Sequence, residues 1–293
     1  MEQLLINALI AGSLAALIAG GLALVYGVLG IFNLALGQMV LVGGYAVWWL
    51  HQSIGVSFPV SIIGGLLIAG GLTWVTFEVF IAPFYKRHRF LPLVTTIALS
   101  MILDAAILLF FEARPRSILT NGKNIMDMGS FMISWEQIYL IVLTLLLLFV
   151  FAYVIHSTPF GRRIRAVVQN SHAAMSLGIS ATTLHRVIFI LSGILAACGG
   201  IFIGIDQNLS PVLAFPITIK AYAAIIAGGK GNFWGAILCA YLIALLEQLA
   251  IGVQWFGRFY ISAGYQQSVA LLFIIVFLLC KPSGLFTFKN RAA

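Results

Sequence analysis

Residues 157–186 read STPFGRRIRAVVQNSHAAMSLGISATTLHR and interrupt a chain otherwise composed for lipid. Arg162, Arg163, Arg165 and Arg186 lie within the stretch, and it holds no Asp or Glu. Pro159 suits a helix start and Gly178 a helix stop. Between them Ile164, Val167, Val168 and Met175 recur at helical spacing, opposite much of the charge. Long apolar segments flank the stretch on both sides. A basic, amphipathic excursion between membrane spans reads first as a cytoplasmic loop. It reads second as a docking element, because a membrane domain driven from outside the bilayer must present a handle there. On charge bias alone, a solvated loop rich in alanine is the plainer alternative.

The rest of the composition agrees with a membrane setting. Of 293 residues, 62% are hydrophobic and 8% charged, with a mean hydropathy of +1.09. No soluble globular domain of this size has that balance. The expectation is one all-α integral-membrane domain, residues 1–293, with no soluble catalytic domain attached. Lys and Arg number 16 against 8 acids, a net charge of +8. The basic residues cluster at span ends, so they follow topology rather than a nucleic-acid surface. Cys198, Cys239 and Cys280 each stand alone in apolar surroundings and offer no metal-ligand spacing. His51, His88, His156, His172 and His185 fall near span ends or in the loop, where solvation is expected, and no acid/base set for an enzyme converges. The start, Met1-Glu2-Gln3, lacks the basic region of a cleaved signal, so the first apolar run is expected to remain as a span.

Taken in order, residues 4–29 form a Gly-rich first span. It runs into Gly27-Val28-Leu29-Gly30-Ile31-Phe32-Asn33 and Leu34-Ala35-Leu36-Gly37-Gln38 before apolar residues resume through Leu50. A helix broken there exposes backbone groups that hydrocarbon tolerates only under protein or beside water. Gly27 to Tyr45 therefore either lines a pathway or packs helices closely through small residues. Residues 58–82 make the next span. The basic run Lys86, Arg87 and Arg89 follows, with Glu78 expected as an ion-paired end residue. Asp104 lies well inside the span 92–111, where a carboxylate costs roughly 2.5–3.5 kcal/mol on insertion scales unless paired or hydrated. Pathway polarity and an interhelical hydrogen bond both account for it.

The loop 112–135 mixes charges around a turn at Asn121-Gly122 and suits the outer face. Spans 137–156 and 187–205 bracket the opening stretch. A second break follows. Residues 216–228 are short for a span, Lys220 stands early in them, and Gly228-Gly229-Lys230-Gly231-Asn232-Phe233 interrupts before apolar residues resume to Ile251. Gly-Gly-Lys-Gly is not a nucleotide loop, because Ala224 stands where the first glycine belongs and Gly231 follows the lysine. Glu247, late in that span, reads as half of a structural pair. A last span at 264–280 ends in a basic tail. Basic clusters at 86–89, 162–186 and 281–291 alternate with outer loops 112–135, 206–215 and 252–263. Eight or nine membrane segments result, with the C-terminus cytoplasmic and the side of the N-terminus open.

Five stretches together resemble one family. Gly21-Leu22-Ala23-Leu24-Val25-Tyr26-Gly27-Val28 with Asn33-Leu34-Ala35-Leu36-Gly37 is similar to the branched-chain amino acid ABC importer permeases. So are Gly161-Arg162-Arg163-Ile164-Arg165-Ala166, Ala173-Ala174 with Gly178-Ile179, Gly228-Gly229-Lys230-Gly231 and Pro282-Ser283-Gly284-Leu285-Phe286, in the same order. The likeness spans nearly the whole chain and fits the shorter of that importer's two permeases. His172-Ala173-Ala174, Gly178 and Ile188 resemble the cytoplasmic loop of ABC importer permeases, Glu-Ala-Ala, three residues, Gly, nine residues, Ile. His172 stands for the Glu, however, and the usual Leu-Pro ending is absent at Leu191-Ser192; Leu36 replaces a frequent His before Gly37.

The resemblance implies a bacterial inner-membrane permease that pairs with a second, longer permease. Two cytoplasmic ABC ATPases would hold ATP and Mg, and a periplasmic or lipid-anchored binding protein would deliver a small solute. The chain itself would bind no cofactor. Arg162, Arg165, Asn170, His172, Ala173, Ala174, Leu177 and Gly178 would meet the ATPases. Asn33, Gly37, Gln38 and Tyr45, with Asp104 and Tyr222, would line the pathway. Relatives of this architecture carry urea, short amides or other small carboxylates. An ion-coupled secondary transporter is the rival class, and would give Asp104 the coupling role.

Overall fold

The computed structural model describes residues 1–85, 90–119, 125–127, 132–229 and 231–252, with scattered positions between 265 and 285. The basic run 86–89, the turn at 121–122, Lys230, the loop 253–263, most of the expected last span 264–280 and most of the basic tail 281–291 lie outside the described residues.

The first helix, α1 (Glu2–Leu29), is 28 residues long and apolar on all sides. At 1.5 Å per residue it measures about 42 Å, enough to cross a ~30 Å hydrocarbon layer. Its stop is Gly30, which takes the left-handed conformation (φ 65°) and donates its N–H to the Tyr26 carbonyl at 3.0 Å. The chain then runs unwound to Ala35, whose N–H is held at 3.1 Å by the Asn33 side chain. The second helix, α2 (Leu36–Trp48), has 13 residues and continues as a π-helical turn, Trp49–Ser53. The expected first break is present.

Beyond it come α3 (Phe58–Thr76, extended by a π-helical turn Phe77–Ile81) and α4 (Leu91–Phe111). A two-stranded antiparallel hairpin, β1 (Ile125–Asp127) with β2 (Met132–Ser134), leads into α5 (Trp135–Ser157). Two short helices, α6 (Pro159–Gln169) and α7 (Ser171–Ser176), precede α8 (Ala181–Asp206), α9 (Ala214–Gly228) and α10 (Phe233–Gly252). Among the described residues seven helical runs are long and apolar enough to cross a membrane, with α2 too short to be one of them.

Helices α1 and α2 form the centre. The first packs on α5, α8, α9 and α10, and the second on α3, α4, α8 and α9. Helices α4 and α5 are peripheral, and Leu109, Phe110 and Phe149 on them stay exposed, as lipid-facing side chains do. Small residues bring the central helices together. Gly43 and Gly44 on α2 face Ala197 and Gly200 on α8, and a Cβ on Gly200 would run into the Val40 carbonyl oxygen. Gly200→Ala should therefore lower stability by about 1–3 kcal/mol despite its better helix propensity. Gly71→Ala, with open space around it, should lose nothing. Thermal unfolding of the purified membrane domain checks both.

The two ends of the bundle are distinct. At one end Gln3 bonds both backbone groups of Met132 (3.1 and 2.8 Å), Arg116 and Leu209 exchange backbone hydrogen bonds, and Gln137 donates to Asp206 at 2.9 Å. This end collects the N-terminus, Arg116, the hairpin and residues 206–209, which belong to two of the loops expected outside. At the other end lie α6, α7 and the α9–α10 turn, where the N–H of Leu285 bonds to the Ala227 carbonyl at 2.8 Å. The side of the N-terminus, open in the sequence, is thus that of Met132 in the hairpin.

Three expectations change. The stretch 159–178 is two helices, broken at Asn170 (φ −154°, ψ 102°), because the Asn170 side chain caps a new helix by accepting from Ala173 N–H. Ile164 and Val167 are buried as expected; Val168, the next residue on α6, already points away from their face and is exposed, and Met175, past the cap, is exposed as well. The span expected from 187 begins at Ala181, where Ser180 caps it, so Arg186 and His185 belong to a membrane helix. His185 is buried against the Tyr85 ring rather than solvated. Arg186 pairs with Glu78, the end residue expected to be paired. The segment expected at 216–228 begins earlier, as a 3-10 turn, Pro211–Leu213, running into α9. The 18 residues Pro211–Gly228 are long enough to cross.

Candidate functional site

The unwound link after α1 is held from three sides. Leu34 N–H lies 3.3 Å from the Thr96 hydroxyl of α4. Gly37 N–H donates to the Thr218 hydroxyl of α9 at 3.0 Å, and a Cβ on Gly37 would strike the Ala214 carbonyl. Phe32 lies between the rings of Tyr26 and Tyr222, tilted against each, with centroids at 5.0 and 5.5 Å. Glycine is required at 37 because backbone, not side chain, fills the space beside it. One turn on, Gln38 reaches across to α4 and donates to the Asp104 carboxylate at 3.1 Å. Asp104 is half-buried, so the interhelical hydrogen bond and the polar group are the same object.

Of the six expected pathway residues, Asn33, Gly37, Gln38, Tyr45 and Tyr222 are buried within this chain. Tyr45 stands apart from the others, near the outer-loop end, stacked on Phe111 at 4.6 Å. The remaining five surround the unwound link.

The second break, between α9 and α10, lies beside the first. Gly229 (φ 100°) and Gly231 (φ 83°) turn the chain, and Gly228 and Gly235 pack so closely that neither admits a Cβ. A Cβ on Gly27 would touch Gly231, and one on Gly284 would press on the Gly229 backbone. Three glycine-bearing stretches, more than 250 residues apart at their extremes, therefore come together at the α9–α10 turn, Gly27 against Gly231 and Gly284 against Gly229. Nothing in their linear spacing foretells it.

A feature missed as a site lies toward the other end. Lys220 on α9 and Glu247 on α10 are 27 positions apart, and the ammonium lies 2.8 and 2.9 Å from the two carboxylate oxygens. They border a cavity of about 290 Å³ between α1, α8, α9 and α10. None of the six expected pathway residues lines it. The available signal was two lone opposite charges in neighbouring apolar spans, which membranes rarely leave apart.

The expected coupling residues form an exposed face. Arg162, Arg165, Asn170, His172, Ala173, Leu177 and Gly178 are exposed, and Ala174 is turned inward. Gly178 closes α7 in the left-handed conformation (φ 80°), its N–H on the Met175 carbonyl at 2.9 Å. Arg165 caps α5 by donating to the Ile155 carbonyl at 2.7 Å. Leu177 is 80% exposed and Met175 48%, apolar surface at the end opposite the hairpin.

Residues 4–280 match the family described as branched-chain amino acid transport system / permease component. The chain is 29% identical to the high-affinity branched-chain amino acid transport system permease protein BraD of Pseudomonas aeruginosa, across 97% of this chain and 94% of that one. It is 25% identical to LivH of Escherichia coli K12, named likewise, over the same shares. A probable branched-chain amino acid transport permease of Methanocaldococcus jannaschii is 27% identical over 97% and 92%. Among solved structures, PsaBC from Streptococcus pneumoniae in complex with Fab aligns with a TM-score of 0.50 at 13% identity, covering 94% and 91%. That likeness concerns the fold alone.

Proposed function

Since the chain belongs to the family of permease components of branched-chain amino acid transport systems, we propose that it is one of two membrane subunits of an ATP-driven ABC importer for branched-chain or similar aliphatic amino acids. The second permease completes the pathway, and a binding protein on the outer side delivers the solute. Two ATPases hold ATP and Mg on the cytoplasmic side, and this chain breaks no covalent bond. It resides in the inner membrane, with the 157–180 end and residues 284–285 toward the cytoplasm and the N-terminus outside.

The observation that carries this reading is the face of α7. A short helix with its own Asn cap and Gly stop offers exposed Leu177 and Met175 among arginines. Lipid does not require that, and a soluble partner's cleft does. Force applied there reaches α8 directly, since Ile179 N–H bonds the Ala174 carbonyl at 3.1 Å just before α8 begins. Helix α8 packs on α2, so tilting it shifts the unwound link. The Gln38–Asp104 pair supplies polarity at the link, Asn33, Gly37 and Tyr222 hold the surrounding backbone in place as the pathway opens and shuts, and Tyr45 lines it farther toward the outer end.

Reconstitution into liposomes with the second permease, the ATPases and the binding protein tests the proposal. Labelled leucine should accumulate only with ATP inside reach of the ATPases, and a proton ionophore should leave uptake intact. Uptake that ignores ATP and collapses with the proton gradient would give the chain to the ion-coupled class. Uptake of urea or an amide in preference to leucine would keep the architecture and change the cargo.

A further inference from the structure

We propose that the cavity between α1, α8, α9 and α10 is a binding subsite for a zwitterionic aliphatic amino acid, its carboxylate held by Lys220 and its ammonium by Glu247. The identity of the solute rests on the importer reading; the charge complementarity does not.

The walls of the cavity are mostly Ala, Ile, Leu and Pro, and four polar side chains converge among them: Gln207, Lys220, Glu247 and Gln248. Few convergent polar groups on an apolar wall is the composition of a small-molecule site. The volume, about 290 Å³, lies near the lower end of the roughly 300–1,000 Å³ usual for such sites, which suits a solute of amino-acid size. The Glu247 side chain is 4% exposed and that of Lys220 27%, so the ammonium is the half of the pair reached first.

Charge conservation makes the fit selective. An incoming zwitterion trades the internal ion pair for two ligand pairs, carboxylate on Lys220 and ammonium on Glu247. No charge in the apolar bundle is then left without an opposite neighbour. A solute carrying only a carboxylate or only an ammonium leaves the site with one charge in excess, and a neutral amide brings no charge to replace either half of the pair. Aliphatic wall remains for the side chain. The position agrees with delivery from outside: Gln207 and Leu213 belong to the end that also holds the N-terminus and the hairpin, opposite α7.

The test is binding of tritiated L-leucine to the full-length chain in nanodiscs of phosphatidylglycerol, a lipid without an ammonium headgroup. Leucine should saturate one site. 4-Methylpentanoate and isoamylamine, each lacking one charge, should compete at least tenfold more weakly than unlabelled leucine. Ala244→Phe, which fills the cavity while leaving both charged side chains in the sequence, should weaken binding at least tenfold. So should the doubly neutral Lys220→Met/Glu247→Leu, whose thermal transition shows whether it is folded. Absence of saturable leucine binding to the native chain overturns the proposal. Native-like binding in a folded variant of either kind does the same, as does competition by isoamylamine equal to leucine's. Displacement of leucine by phosphatidylethanolamine added to the discs at equimolar amounts assigns the cavity to a lipid headgroup and also overturns it. Leucine bound in the discs with no ATP-driven uptake by the assembly sinks the importer reading and leaves the subsite standing. Uptake intact with native-like binding in Ala244→Phe does the reverse.

Discussion

Lys220→Met alone should cost the membrane domain about 3–5 kcal/mol, the largest loss of stability expected from any single change considered for this chain. The reason is Glu247, 3% exposed on α10, whose carboxylate would keep its charge in an apolar bundle and lose the ammonium at 2.8 Å. Removing both charges in Lys220→Met/Glu247→Leu should recover most of that loss, because similar apolar volume replaces the pair and no charge is stranded. Thermal unfolding of the purified domain in one detergent distinguishes the two. Equal destabilisation by the single and double variants would show that the pair matters by shape rather than by charge.

The largest expected effect on activity belongs to α7. Leu177→Glu puts a carboxylate where an 80% exposed leucine offers apolar surface to a partner. If that leucine is an interface anchor, its loss removes about 2 kcal/mol or more of docking energy, roughly thirtyfold in affinity. ATPase capture by the permease should fall by that factor and ATP-driven uptake with it, while the thermal transition stays put, since the side chain supports nothing within this chain. Pull-down of the ATPases from detergent, beside uptake by the same preparation, reads both. Undiminished capture would remove α7 from the ATPase interface and with it the main support for the importer reading.

How much of this was visible in the linear chain differs from site to site. The stop at Gly178 was legible, because it acts through a bond to a residue a few positions away, whereas the cap at Asn170 was not read. The break after α1 was legible for the same reason: Gly30 and Asn33 satisfy neighbouring backbone groups. The face of α6 and α7 was not fully legible. One helical period was read through 159–178, but Val168 sits off the Ile164–Val167 face of α6, and the change of axis at Asn170 leaves Met175 outward. His185 misled in the same way, since Ser180 starts α8 earlier than the apolar run begins.

Composition and local capping thus determined that the chain is a polytopic helical membrane protein, where its helices break, and where it leaves the bilayer. These depend on transfer of whole segments into hydrocarbon and on hydrogen bonds spanning a few residues. Which broken stretch meets which, that Gly27 and Gly284 both reach the α9–α10 turn at Gly231 and Gly229, and that Lys220 and Glu247 border one cavity were decided only in three dimensions. Hydrocarbon and protein interior are nearly equally apolar, so a membrane helix carries little periodic record of the face it buries. Its neighbours are chosen by the fit of small residues and by the few charges that must find each other.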